Sequence, residues 1–223
     1  MIPFDALIFD FDGVLLESEL PMNQIIADVL TDLGHPTTLD DALQHSVGHT
    51  GREVFRIMEQ RIGGPLPDEF HTNMREAGAR VLAEGLAPVA GAIEFIEGLP
   101  SEIPKAVASS SSTRWIRTHL DHLGLRSAFE PHIYSGREHV ERGKPEPDLY
   151  IHAARALGVP IERTAIIEDS RVGAIGALAS GGTVIGLAAG SHCRDGHEEM
   201  LRGLGVEHVA HSFDDVSRML GLA

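Results

Sequence analysis

The sequence predicts an α/β fold: a parallel sheet covered by helices on both faces, with a small all-helical insert after the first strand. Three observations carry this. Short continuous apolar runs alternate with helix-period segments from residue 88 onward. Residues 17–85 contain helical periodicity and no convincing strand. Glycines stand where helices must stop, at Gly34, Gly124, Gly158 and Gly181.

Taken in order, Ala6–Phe9 is an apolar run ending in acids and Gly13, as a strand buried on both faces reads. Ser18 reads as a helix N-cap, with Pro21 in the first turn and Gly34 after the end. Between them Met22, Ile25, Ile26, Val29, Leu30 and Leu33 form one stripe at helical spacing. Val54, Phe55, Met58 and Ile62 repeat the pattern, as do Phe70, Met74, Ala77 and Val81. Gly85–Pro88 reads as a return hinge, so the division is residues 1–16 and 86–223 as core and 17–85 as helical cap. In the core, strands are expected at Lys105–Ala108, His132–Tyr134, Thr164–Ile167, Thr183–Leu187 and, more weakly, His208–Ala210. Helices are expected at Ala90–Gly98, Thr113–Leu123, Asp148–Leu157 and Val172–Ala179. A length of 223 residues suits one full domain with a small insert, at roughly 150 residues per domain.

Composition narrows the function. The chain is 43% hydrophobic and 23% charged, which excludes disorder. A net charge of −15 argues against nucleic acid or anionic membrane as partner. No apolar run is long enough to span a bilayer, and the first residues carry acids where a signal peptide needs bases, so a cytoplasmic protein is expected. A single cysteine, Cys193, excludes an internal disulfide and a thiolate zinc cluster. Lysine occurs only at Lys105 and Lys144, so each invites a specific explanation.

In an open parallel sheet, ligands bind beyond the carboxyl ends of the strands. Asp10 and Asp12 follow the first strand, Ser109 closes the second, Glu168 and Asp169 close the fourth, and Lys144 lies in Gly143-Lys144-Pro145-Glu146-Pro147-Asp148. Asp10, Asp12, Glu168 and Asp169 total −4 and Lys144 offsets only one charge, so a divalent cation is expected. The ligands are all oxygen, which suits Mg2+. A carboxylate beside a metal and a lysine can attack phosphorus, with Ser109 donating to a phosphate oxygen.

Asp10-x-Asp12-Gly13-Val14, Ser109, Gly143-Lys144-Pro145-x-Pro147-Asp148 and Glu168-Asp169-Ser170, in this order, resemble the four motifs of the haloacid dehalogenase superfamily. The insert resembles the helical cap of the subgroup that contains phosphoglycolate phosphatase, β-phosphoglucomutase and sugar-phosphate phosphatases. The resemblance implies a Rossmann-like sheet with the first strand between those bearing Ser109 and Asp169. It implies Asp10 as nucleophile, and Asp12 as general acid/base and metal ligand through its main-chain carbonyl. It further implies Ser109 and Lys144 on phosphate, Asp169 on Mg2+, and Glu168 supporting the metal through water. The function implied is a magnesium-dependent phosphatase of a small phosphorylated metabolite.

A phosphosugar mutase is the alternative. Met22 stands where the mutase has a proton-shuttling histidine, and Gly51 where it has a cap arginine, with Arg52 one residue later. A metal-independent dehalogenase is disfavoured by Asp12, and a signalling receiver domain by the chain's length and cap. Glu17 replaces the aspartate of many relatives at the hinge. The insert holds twelve acids and five arginines, net −7, so an anionic substrate needs an inward arginine. Arg52, Arg75 and His49 are the candidates there and Ser110 in the core; Arg56, Arg61 and Arg80 read as solvated-face residues. His192, Cys193 and His197 have metal-ligand chemistry, but among thirteen histidines such proximity arises by chance. Gly173-x-x-Gly176 reads as close helix packing and not as a dinucleotide loop.

Overall fold

The structure is a computed structural model, and it describes residues 1–46 and 51–222. The chain divides into two units, Met1–Glu17 with Ala87–Ala223, and Ser18–Leu86. Among the described residues no helix is long and apolar enough to cross a membrane.

The larger unit is built on six parallel strands: β1 (Ala6–Phe9), β2 (Lys105–Ser109), β3 (Ile133–Ser135), β4 (Thr164–Glu168), β5 (Thr183–Leu187) and β6 (His208–Ala210). Their order is β3-β2-β1-β4-β5-β6. The first strand thus lies between those that deliver Ser109 and Glu168. All four residues of β1 and all five of β4 are buried. That is why β1 and the middle of β4, Ala165–Ile167, are apolar throughout: side chains alternate between two covered faces. On one face Phe9 meets Phe95 and Phe129 edge-on, with ring centroids 6.1 and 5.8 Å apart. On the other, Ile8, Ala106, Ile166, Leu149 and Tyr150 pack together.

The differences from expectation are local. β2 and β4 each run one residue further, so Ser109 and Glu168 are still inside the ladder and inherit its rigidity. Helices at Arg126–Phe129, His197–Gly203 and Phe213–Leu220 add to those expected.

The Ser18–Leu86 unit holds helices Glu19–Asp32, Leu39–Ser46, Gly51–Ile62 and Asp68–Glu84. Ile26, Leu30, Val54, Met58 and Phe70 form its core, and Phe55 meets Phe70 edge-on at 5.5 Å. The helix Leu39–Ser46 is not among those expected from periodicity. Arg61 bonds Thr37 at 2.6 Å and pairs with Asp41 at 3.4 Å, fastening the third helix to the start of the second. Ser18 occupies the N-cap position but has helical dihedrals, φ −100° and ψ −25°, and makes no side-chain capping bond. A capping hydroxyl works from an extended residue, so the expected cap does not form.

Candidate active site

Three strand ends build the site. The Asp10 N–H bonds Ile167 O at 2.9 Å, which brings the ends of β1 and β4 side by side. Asp10, Glu168 and Asp169 are all buried, with carboxylate oxygens within 4.8 Å of one another. Lys144 is equally buried and donates to Asp10 Oδ1 and to Glu168 Oε1, each at 2.7 Å. Burial and the charges of Glu168 and Asp169 push Asp10 well above the usual carboxylate range, against the pull of Lys144. Burial disfavours the charged form of Lys144, yet Asp10 and Glu168 hold it well above its ordinary value.

Glu168 takes four bonds: Lys144 and the Tyr150 hydroxyl (2.9 Å) on Oε1, and the Ser170 N–H (2.8 Å) and hydroxyl (3.0 Å) on Oε2. These donors give it a task the resemblance does not imply, fixing Lys144 and the start of helix Arg171–Ser180, which Ser170 also caps. A Cβ on Gly173 would stand 1.5 Å from Glu168 Oε1, and one on Gly176 3.0 Å from the Pro145 and Glu146 carbonyls. Close packing, as expected, is what these glycines serve.

Asp12 faces the β2 side. Its carboxylate accepts from the Ser111 hydroxyl at 2.6 Å, from Trp115 Nε1 at 3.0 Å and from Ser109 at 3.3 Å. Ser111, and not the candidate Ser110, is the second serine that reaches it; Ser110 lies half-buried between them. Ser112 caps helix Thr113–His122 by accepting from the Trp115 N–H, which orients the turn carrying the indole. Gly13, at φ +82°, passes so close to Asp169 that a Cβ would lie 2.2 Å from its Oδ2.

Asp169 faces the β5 side. Oδ2 lies 2.8 Å from His192 Nε2, while Oδ1 is buried with no hydrogen-bond partner among the described residues. Burial disfavours a charged His192, but its bonds to Asp169 and Cys193 outweigh that and push its pKa up to about 11. His192 is thus a partner of Asp169 that the charge count from sequence leaves out. An orphaned carboxylate oxygen in an all-oxygen cluster fits a hard cation such as Mg2+. His192, Cys193 and His197 do come together, with donor atoms within 4.8 Å.

In the helical unit, Arg75 is exposed and bonds Thr72 at 3.2 Å. It lines a cavity of about 580 Å³ with Phe55, Asp68, His71, Thr72 and Met74. Arg52 lies on helix Gly51–Ile62, and His49 falls outside the described residues. Sequence reasoning missed Trp115, Ser111 and Tyr150 as site residues; Trp115 and Tyr150 lie on helices, away from any strand end, and Ser111 is one of four consecutive serines at the end of β2.

The haloacid dehalogenase-like hydrolase family matches residues 7–187. A phosphorylated carbohydrates phosphatase of Thermotoga maritima is 30% identical over 180 residues, covering 79% of this chain and 82% of its own. A 6-phosphogluconate phosphatase of Escherichia coli is 25% identical over 193 residues, 86% of each chain. A solved hydrolase of the same family from Deinococcus radiodurans, with bound phosphate and sodium, is 31% identical with a TM-score of 0.83, covering 99% of this chain and 96% of that one. With the family match spanning residues 7–187 and relatives of this identity and coverage, the chain belongs to the haloacid dehalogenase-like hydrolases.

Proposed function

We propose that the protein is a magnesium-dependent phosphatase of small phosphorylated metabolites that works through an aspartyl-phosphate on Asp10. The observation that carries this is the buried Asp10, 2.7 Å from Lys144 and with an Asp169 carboxylate oxygen within 4.8 Å of its own. Asp10, the Asp12 carbonyl and Asp169 would hold Mg2+, which when bound would neutralise the incoming phosphate and favour the ionised form of Asp10. A carboxylate oxygen of Asp10 attacks phosphorus, the ester P–O bond breaks, and Asp12 gives its proton to the departing alkoxide. Asp12 then takes a proton from water, whose oxygen attacks the same phosphorus. Inorganic phosphate leaves and the Asp10 carboxylate is restored. Lys144 and Ser109 bind phosphate oxygens, and Glu168 holds Lys144 in line. The helical unit acts as cap and chooses the substrate through Arg52, Arg75 and His49, with Ser110 of the larger unit as a further contact.

The relatives favour sugar phosphates or phosphorylated sugar acids as the substrate class. The net charge of −15 fits a cytoplasmic enzyme without nucleic-acid or membrane partners. A mutase is not favoured, because Met22 and Gly51 lack the chemistry it needs and the relatives described above are phosphatases. The test is phosphate release from a panel of phosphorylated metabolites with Mg2+ and with EDTA. Mg2+-dependent release from some of them is expected; release undiminished by EDTA would overturn the reading.

A further inference from the structure

A cation ligand at a strand end gains from being held before the cation arrives, because the ordering cost is then already met. Asp169 is held twice. His192 Nε2 lies 2.8 Å from its Oδ2, and His197 Nε2 lies 2.9 Å from its main-chain carbonyl. Only an N–H can bond those acceptors. Both histidines belong to the segment after β5, and their rings meet edge-on, 5.6 Å apart at 85°. The His192 side chain is 3% exposed. Its ring sits in a slot that two glycines leave open: a Cβ on Gly190 would stand 2.6 Å from His192 Cε1, and one on Gly13 2.9 Å from it. Asp169 Oδ1 is the oxygen left over.

We propose that His192 and His197 are positioning residues that clamp Asp169 by side chain and main chain and so aim Oδ1 at the cation. This rests on the reading of Asp169 as a Mg2+ ligand. The Nε2 of each ring is taken up by Asp169, and His192 Nε2 also lies 3.5 Å from Cys193 Sγ, so the cluster stands behind the proposed Mg2+ site and supports it.

The test is the Kd of Mg2+ alone, by calorimetry on the full chain, with melting temperature as control. His192→Ala is expected to weaken Mg2+ about 10- to 100-fold. His192→Gln, whose amide can donate in place of Nε2, is expected to recover most of that. Gly190→Ala removes no donor but must displace the ring, and is expected to weaken Mg2+ in the same direction. Wild-type Kd in both His192→Ala and Gly190→Ala would overturn the clamp, and so would a loss that His192→Gln leaves unrecovered. Should His192→Ala fail to fold, the glutamine and Gly190→Ala variants decide alone. Asp169→Asn separates the two claims. If it binds Mg2+ like wild type, the metal reading falls and the clamp with it; if it alone loses Mg2+, only the clamp falls.

Discussion

The two units handle charge in opposite ways. In the larger unit, Asp10, Lys144, Glu168 and Asp169 are buried, and each has a partner at a fixed distance. In the helical unit, Arg75 is exposed and Arg61 is used to join helices. Buried charge must be paired and therefore holds its geometry; exposed charge is free to meet whatever arrives. On the proposed reading, chemistry belongs to the first unit and choice of substrate to the second.

The harshest way to break that division is Asp10→Asn, which keeps the shape and removes the nucleophile. Turnover of any phosphate ester is expected to fall at least about a thousandfold, and near-normal rates would remove Asp10 from the chemistry. Lys144→Arg comes next. The pocket around Nζ is closed by Asp10, Glu168 and the Tyr150 ring 5.0 Å away, so a broad guanidinium does not fit. A loss of about a hundredfold is expected, whereas Lys105→Arg, half-buried and bonded to the Ile103 carbonyl, should be near wild type. Equal rates in both would show that Lys144 is not special.

Gly173→Ala drives a methyl into Glu168 and is expected to cost about 1–3 kcal/mol of stability, read by chemical denaturation. Unchanged stability would mean that Glu168 is not pinned. Replacing Arg52 or Arg75 with alanine is expected to raise KM for the best metabolite about tenfold, the value of one charged hydrogen bond, and to leave a small aromatic phosphate ester unaffected. Wild-type KM in both variants would shift substrate reading to other residues of the helical unit. Smallest and opposite in sign is Gly78→Ala. Nothing lies within 4 Å of a Cβ on this helical glycine, so a gain of about 0.5–1 kcal/mol is expected. A loss there would mean the helix needs that gap.

What was legible in the sequence follows from the same contrast. The apolar runs within β1, β2 and β4 come from two covered faces, and the first polar residue after each run marks the strand's carboxyl end. Asp10, Ser109 and Glu168 could be found that way. His192 could not: it reaches Asp169 from a loop, and one histidine among thirteen has no local signature. Trp115 sits on a helix whose periodicity predicts burial but not an indole N–H aimed at Asp12. The helix Phe213–Leu220 has a start signal in the sequence, Ser212 three residues before Asp215, and the Asp215 N–H donates to the Ser212 hydroxyl at 3.1 Å. The helix Leu39–Ser46 is short, with Ala42 and Leu43 as its main apolar contribution, too few for a stripe to stand out.

Trp115 is the chain's only tryptophan, and its indole N–H rests on the Asp12 carboxylate. All indole fluorescence from this protein therefore has one origin, a single hydrogen bond away from a proposed catalytic acid. Emission becomes a built-in gauge of what happens around Asp12, and ligand titrations need no attached dye. It also means that a thermal melt followed through that emission reports on the unit bearing the sheet and says nothing of residues 18–86, whose unfolding needs a far-ultraviolet signal to be seen.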